Sequence, residues 1–368
     1  MSELDTIATP AIAIDGPCVR RNLSRMADYA RSHELKLRPH TKTHKSIELG
    51  KMQIASGAAG LTVAKSGEAK VLSAVADDLD LLMAYPAVDA ARCMTIAAVA
   101  KSGRTMRVAL DSPFAAEALA NAATSANTTI GVLVDLDVGL HRTGVQGPRA
   151  SLRLAQQIDR TPGLRLDGIM IYPGHIWSRP AEQSRALSAV DAIVEEALQI
   201  WRQSGLAAPI ISGGSTPTAY QSHQLKHLTE IRPGTYVFND MNTVAGGFCS
   251  LDDCAARIVA TVISDAAPGQ VMIDAGSKML TSDRRFDDPA NAGHGNVVEY
   301  PQAKITKLSE EHGQVDVRNC NRAPKVGERV SIIPNHICPC VNLQDRMWWI
   351  EPGESPRAMN VDARGMVS

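Results

Sequence analysis

Arg38-Pro39-His40-Thr41-Lys42-Thr43-His44-Lys45 is the stretch on which the fold turns. It follows the apolar-alternating run Leu35-Lys36-Leu37, which has the period of a short strand. Proline cannot donate a ladder hydrogen bond, so the strand ends near Pro39. His40 and Lys42 are thereby placed at a strand's carboxyl end, where α/β barrels collect their chemistry. A lysine held there among other cations has a lowered pKa and can form a Schiff base. By itself the segment reads equally well as a basic surface loop, and its surroundings decide between the two.

Those surroundings have a regular rhythm. From Thr9 to about Asn239, short apolar runs alternate with Ala/Leu/Glu/Arg-rich stretches of helical period. The strand candidates are Ala11–Ile14, Leu35–Arg38, Gly60–Val63, Leu79–Met83, Arg107–Leu110, Gly131–Asp135, Leu166–Ile171 and Ile210–Ser212. Between them lie helical stretches such as Ser112–Ala123 and Glu182–Ser204. The first opens with Ser112-Pro113, a capping hydroxyl before a proline at the first helical position. This βα repeat predicts an α/β fold, a (β/α)8 TIM-type barrel over residues 11–240, with an open doubly wound sheet as the competitor. Past Asp240 the texture changes to Ala256–Ser264, Val271–Asp274, Asn296–Tyr300, Ala303–Leu308, Arg329–Ile333 and Arg346–Ile350, separated by turns without a long helix. Residues 241–368, with 1–10, therefore read as an antiparallel β domain.

At 368 residues two domains are expected, and 44% hydrophobic with 21% charged residues fits a soluble globular enzyme. A net charge of −1 carries no electrostatic footprint for nucleic acid or anionic lipid. The acidic opening Met1-Ser2-Glu3-Leu4-Asp5 lacks the apolar core of a secretory signal, and no apolar run is long enough for a membrane span. Seven irregularly spaced cysteines fit free thiols in a reducing cytoplasm.

Several segments could carry chemistry. Gly213-Gly214-Ser215-Thr216-Pro217-Thr218 ends a strand candidate; its glycines let backbone approach a ligand and its hydroxyls can donate to phosphate oxygens. No lysine follows, so it is not a Walker loop, and an ordinary Gly-Ser turn is the plain alternative. Glu230-Ile231-Arg232-Pro233-Gly234-Thr235-Tyr236 adds a further glycine and hydroxyl, and the two segments together make a phosphate cradle. Arg142, in the charged run Asp135–Gly144, must face the barrel mouth or solvent and could touch an acidic ligand oxygen. Tyr172 and His175 are candidate proton handlers, though singly each such residue is more often structural than catalytic. In Pro334-Asn335-His336-Ile337-Cys338-Pro339-Cys340, a strand would put His336 and Cys338 on one face to share a cation. Imidazole plus thiolate favours zinc and leaves open coordination positions. Cys340 falls on the same face, and buried free cysteine is also ordinary core material.

Taken in order, Arg38-Pro39-His40-Thr41-Lys42, Gly213-Gly214-Ser215-Thr216, Arg232-Pro233-Gly234-Thr235-Tyr236, Asp274-Ala275-Gly276 and Pro334-Asn335-His336-Ile337-Cys338 resemble the fold-type III pyridoxal-phosphate enzymes. The specific likeness is to the D-threonine aldolase and D-serine dehydratase family, with alanine racemase more distant, and it covers the whole chain. The resemblance implies that Lys42 holds pyridoxal 5'-phosphate as a Schiff base and that Ser215, Thr216, Gly234 and Thr235 bind its phosphate. It places Arg232 at the pyridine nitrogen and Arg142, with Tyr172, near the phenolate. An arginine at that nitrogen keeps the ring unprotonated and weakens it as an electron sink, which suits metal-assisted chemistry. The implied metal at His336 and Cys338 is zinc, with manganese or magnesium as alternatives, acting as a Lewis acid on a substrate's β-hydroxyl. The implied substrate is a small D-amino acid, and the implied assembly a homodimer in which one subunit's β domain completes the other's site.

Two reactions follow from the resemblance. In a retro-aldol cleavage His175 or His40 removes the hydroxyl proton, giving glycine and an aldehyde. In a dehydration of D-serine or 3-hydroxy-D-aspartate, Lys42 removes the α-proton and a keto acid and ammonia result. Family aldolases carry aspartate where Cys338 stands, and Leu61-Thr62-Val63-Ala64 with Ala84-Tyr85-Pro86 also look dehydratase-like. Pro339, Val341-Asn342-Leu343 and Asp345 resemble the aldolases, and the balance leans to a D-threonine aldolase-type lyase. An amino-acid racemase would leave His336 and Cys338 idle, and a cofactor carrier of this barrel class would lack the second domain.

Overall fold

The computed structural model describes residues 6–368; Met1–Asp5, and with them the first half of the 1–10 segment expected in the second domain, lie outside the described residues. The chain forms two compact units. One comprises Arg25–Gly234 with Met366–Ser368, the other the segment ending at Ser24 with Thr235–Gly365.

The strand candidate nearest the amino terminus, β1 (Ala11–Asp15), belongs to the second unit. The first unit is built on β2 (Lys36–Leu37), β3 (Leu61–Val63), β4 (Asp80–Met83), β5 (Thr105–Leu110), β6 (Ile130–Asp137), β7 (Val145–Gln146), β8 (Leu164–Ile171), β9 (Ile210–Gly213) and β10 (Glu230–Ile231). All pair in parallel in the order β2-β10-β9-β8-β6-β5-β4-β3, with β7 appended to β6. The two ends of that path meet. His40 forms a parallel bridge with Thr62 of β3, the Thr62 amide donates to the Pro39 carbonyl at 2.8 Å, and its hydroxyl to that of Arg38 at 2.9 Å. Eight strands thus follow one another round a closed (β/α)8 barrel, the architecture expected from the βα rhythm.

The membership differs by one strand. Ala11–Ile14 was counted in the barrel, whereas the eighth barrel strand is Glu230–Ile231, too short for periodicity to reveal. Helix Pro113–Ser125 starts as its sequence dictates, with the Ser112 hydroxyl accepting from the Ala115 amide at 3.3 Å.

The barrel holds a chain of charges that joins Arg38, just past β2, to residues in the amino-terminal halves of β10, β4, β5 and β8. Buried Arg38 donates to Glu230 at 2.9 Å and to Asp80 at 2.7 Å, and Ser212 donates to the same Glu230 at 2.6 Å. Arg107 bridges Asp80 and Asp167, the latter at 2.6 Å, and Arg165 closes the chain on Asp167, also at 2.6 Å. Each charge meets an opposite one, as burial requires.

The second unit is mainly antiparallel: β11 (Ala256–Ser264), β12 (Gln270–Ile273), β13 (Asn296–Val297), β14 (Lys304–Leu308), β15 (Gly313–Asp316), β16 (Arg329–Ile333), β17 (Arg346–Ile350) and β18 (Arg357–Asn360). β1 pairs antiparallel with β11, Ala11 facing Val259, and parallel with β17, Ile14 facing Trp349. No described helix in either unit is long and apolar enough to cross a membrane.

Candidate active site

The carboxyl ends of the barrel strands enclose a cavity of about 290 Å³. Its walls come from residues directly after strands: Ala64 after β3, Ala84 after β4, Tyr172 after β8, Gly214 after β9 and Arg232 after β10. His40 and Lys42, past the end of β2, complete the floor with Arg142. The structure therefore brings together five expected site residues, His40, Lys42, Arg142, Tyr172 and Arg232. Lys42 sits in a short 3₁₀ turn, Thr41–Thr43, where the His40 ring accepts from the Lys42 amide at 3.4 Å.

Electrostatics assigns these groups different states. Burial, reinforced by Lys42 and Arg232, holds the His40 imidazole well below its ordinary pKa, so the ring is neutral near pH 7. Burial lowers Arg232 to about 10, against the pull of Glu230 and Asp135, and it remains a cation. Its guanidinium donates to Ser212 Oγ at 2.7 Å and to the Ile171 carbonyl at 2.9 Å. Arg142 lies over the Tyr172 ring, 4.8 Å from its centre, a cation–π contact that fixes both. Burial raises the Asp135 carboxyl to about 6, although Thr143 donates to it at 2.9 Å.

Beside the cavity, Ser215 is buried with its Oγ 3.1 Å from Thr218 Oγ1. The Gly234 amide donates to Thr216 Oγ1 at 3.2 Å. A Cβ at Gly234 would lie 3.0 Å from the His40 carbonyl, a tight contact that glycine avoids. Gly214 has φ +80°, a conformation side chains disfavour. Hydroxyls and close backbone of this kind suit a phosphate. Thr235 opens the turn Thr235–Val237, and its hydroxyl lies 3.8 Å from Cys338 Sγ. His175 is exposed and stacks against Gly139, away from the cavity walls.

The basis for pairing His336 with Cys338 changes. They do not lie on a strand: His336 caps helix Ile337–Asn342, and Cys338 sits in its first turn. Cys-Pro-Cys starts a helix because proline is favoured in the first turn, where its missing N–H costs nothing. The two side chains still meet. Burial would depress the His336 imidazole, but the Cys338 sulfur and the Asp240 carboxylate outweigh it and push it to about 11. Cys340 turns away, its thiol donating to the His336 carbonyl at 3.3 Å, and burial raises its pKa.

Asp240 was missed from the sequence. Fully buried, it caps helix Met241–Ala245, accepting from the Thr243 amide at 3.0 Å through Oδ1. Its other oxygen, Oδ2, accepts from His336 Nδ1 at 3.0 Å and from the Ile337 amide at 3.2 Å. Asp-x-x-Thr signals a cap, but nothing in the sequence ties it to a histidine 96 positions on. Among the described residues no cluster of three or more His, Cys, Asp or Glu is arranged to hold a metal ion. What the chain offers is a two-residue set, imidazole and thiol, with a carboxylate behind the imidazole. That arrangement fits a metal, because ligating histidines usually give their other N–H to a carboxylate.

A barrel with a lysine and two arginines at its carboxyl-end mouth, beside a hydroxyl-rich turn, is the frame of an alanine racemase-like pyridoxal-phosphate enzyme. Residues 14–241 match the family model "Alanine racemase, N-terminal domain", and residues 255–350 match "Putative serine dehydratase domain". The chain is 30% identical to a D-threonine aldolase of Arthrobacter, over 98% of this chain and 94% of that one. To a D-threo-3-hydroxyaspartate dehydratase of Delftia it is 32% identical, over 90% and 91%. A solved D-threo-3-hydroxyaspartate dehydratase, a cysteine-to-alanine variant in the metal-free form, superposes with TM-score 0.88 at 29% identity, over 98% and 99%. The chain belongs to the alanine racemase N-terminal domain family and is a pyridoxal-phosphate-dependent lyase.

Proposed function

We propose that this lyase acts on D-configured β-hydroxy-α-amino acids with a divalent metal at His336 and Cys338, and that its reaction is elimination of water to a keto acid and ammonia. The observation that carries the reading is the imidazole–thiol pair backed by Asp240. A related dehydratase has been solved as a cysteine-to-alanine variant in a metal-free form, which is in keeping with a metal in that enzyme. The residues around the cavity fit pyridoxal phosphate: Lys42 to hold it, Ser215, Thr216, Gly234 and Thr235 for its phosphate, Arg232 and Arg142 with Tyr172 along the ring. When bound, it supplies an electron-withdrawing ring that acidifies the substrate's Cα–H. A metal at the pair would make the β-hydroxyl a better leaving group, zinc being favoured by the thiolate.

The chain's own groups do the rest. The Lys42 amine takes the proton from Cα. His40, kept neutral by burial and the neighbouring cations, lines the cavity beside it without adding a charge. Arg232, fixed by Ser212 and the Ile171 carbonyl, is a donor only and gives the ring nitrogen no proton.

Retro-aldol cleavage to glycine and an aldehyde is the second reading, favoured by similarity to the Arthrobacter aldolase over nearly the full length of both chains. Incubating the holo-protein with D-threonine and D-threo-3-hydroxyaspartate, with and without EDTA, separates them. Keto acid and ammonia, lost on chelation, support elimination; glycine plus aldehyde moves the assignment to the aldolase.

A further inference from the structure

Around the cavity, positive charge exceeds what the ring-facing groups account for. Its walls carry Lys42, Arg142 and Arg232 and no carboxylate. One more cation stands at the rim. Lys65 follows the wall residue Ala64, and its Nζ lies 3.5 Å from the centre of the Tyr85 ring, itself part of the wall. Lys65 heads helix Ser66–Leu72 in an extended conformation, and its side chain takes no part in capping.

Neighbouring Lys45 shows what a structural lysine does here. It is buried, and its ammonium pairs with Glu68 at 3.0 Å, while the other oxygen of Glu68 accepts from the Ala64 amide at 2.6 Å. Glu68, the acid nearest in sequence to Lys65, is therefore consumed. Among the described residues Lys65 has no ion pair, and its only side-chain interaction is with the Tyr85 ring. An ammonium over an aromatic face gains little at an exposed site, on the order of 0.5–1 kcal/mol, but it is held in place. Beside a cavity whose walls carry no carboxylate it adds to a field that concentrates anions.

We propose that Lys65, steadied by Tyr85, binds a carboxylate of the amino-acid substrate. The substrate class rests on the lyase reading, whereas binding of a carboxylate does not. A substrate offers this chemistry at its α-carboxylate or, in a hydroxyaspartate, also at its β-carboxylate.

The test is a titration of holo-protein, following the cofactor's visible absorbance, with D-alanine and D-aspartate, which carry one and two carboxylates and no β-hydroxyl. Wild type is compared with Lys65→Met, which keeps the stem and removes the charge, and with Lys65→Arg, which restores a charge. Weakening of both ligands by about tenfold in Lys65→Met, reversed in Lys65→Arg, supports contact with the α-carboxylate. Weakening of D-aspartate alone supports contact with the β-carboxylate. Unchanged affinity for both, in a variant with wild-type absorbance and melting temperature, overturns the proposal. Because neither ligand can lose water or an aldehyde, a failure of the lyase reading leaves this result intact.

Discussion

The two ends of the barrel treat charge in opposite ways. Toward the amino-terminal ends of the strands, the Arg38 side chain with Glu230, Asp80, Arg107, Asp167 and Arg165 forms a chain in which every charge meets its opposite. At the mouth, Lys42, Arg142 and Arg232 stand around a cavity without one acidic wall residue. Removing a charge from water is costly unless it is paired, so a barrel that pairs its cations at one end could do so at the other. A wall that carries cations and no acid, with Glu230 and Asp135 set behind Arg232, marks where anions are to come from outside: a phosphate, a phenolate, a carboxylate. Net charge, −1 over the chain, conceals this asymmetry entirely.

The largest effect is expected at the mouth. Lys42→Ala should abolish the visible absorbance of a lysine-bound cofactor and lower kcat by at least ~10³-fold, with the melting temperature of the apo-protein little changed; a retained absorbance band would assign the anchor elsewhere. At the closed end the pattern should invert. Glu230→Ala leaves Arg38 buried with one partner fewer and should destabilise by about 3–5 kcal/mol in urea unfolding. A loss under about 1 kcal/mol there would mean that water relieves the charge and that the contrast between the ends is false.

In the second unit, Asp240→Ala should weaken zinc binding about 10–100-fold, measured by competition with a chromophoric chelator. Thr243→Ala, which removes the hydroxyl half of the capping box but leaves both the backbone cap and the histidine contact, separates orientation of His336 from support of the box by retaining metal. The smallest effect concerns pH. The Asp135 carboxyl, raised from 3.8 to about 6, favours its neutral form when folded, so folding takes up a proton between those values. Its contribution is full below about pH 4 and is lost as pH rises through 6. Asp135→Asn should therefore gain melting temperature over wild type, by roughly 2 °C, at pH 7.5 but not at pH 4.

What could be read from the sequence depended on how local its cause was. Strands Arg329–Ile333 and Arg346–Ile350 were legible to the residue because alternation and turns are short-range signals. The capping serine at 112 was legible for the same reason. Ala11–Asp15 reads as a strand from any window, but its place follows from pairing with Val259 and Trp349, which no window contains. The His336–Cys338 pair was found through a strand argument that the helix at Ile337–Asn342 replaces. Asp240 and Lys65 escaped because each depends on a partner in space: a histidine far along the chain for one, an absent acid for the other.

The closure of the barrel has one more consequence. The join between β2 and β3 is a single bridge at His40 with a few bonds from Thr62, and β2 itself has only two residues. The seam of the cylinder is thus sewn by the very segment that presents the lysine. A ligand gripped at Lys42 and by the Gly214 and Gly234 loops would tie the end of β2 to its other neighbours, β10 and β9, and so steady the strand that carries one side of the seam. Amide exchange should record it as slower opening at His40 and Thr62 in the loaded protein, with the far wall at β5 and β6 unmoved.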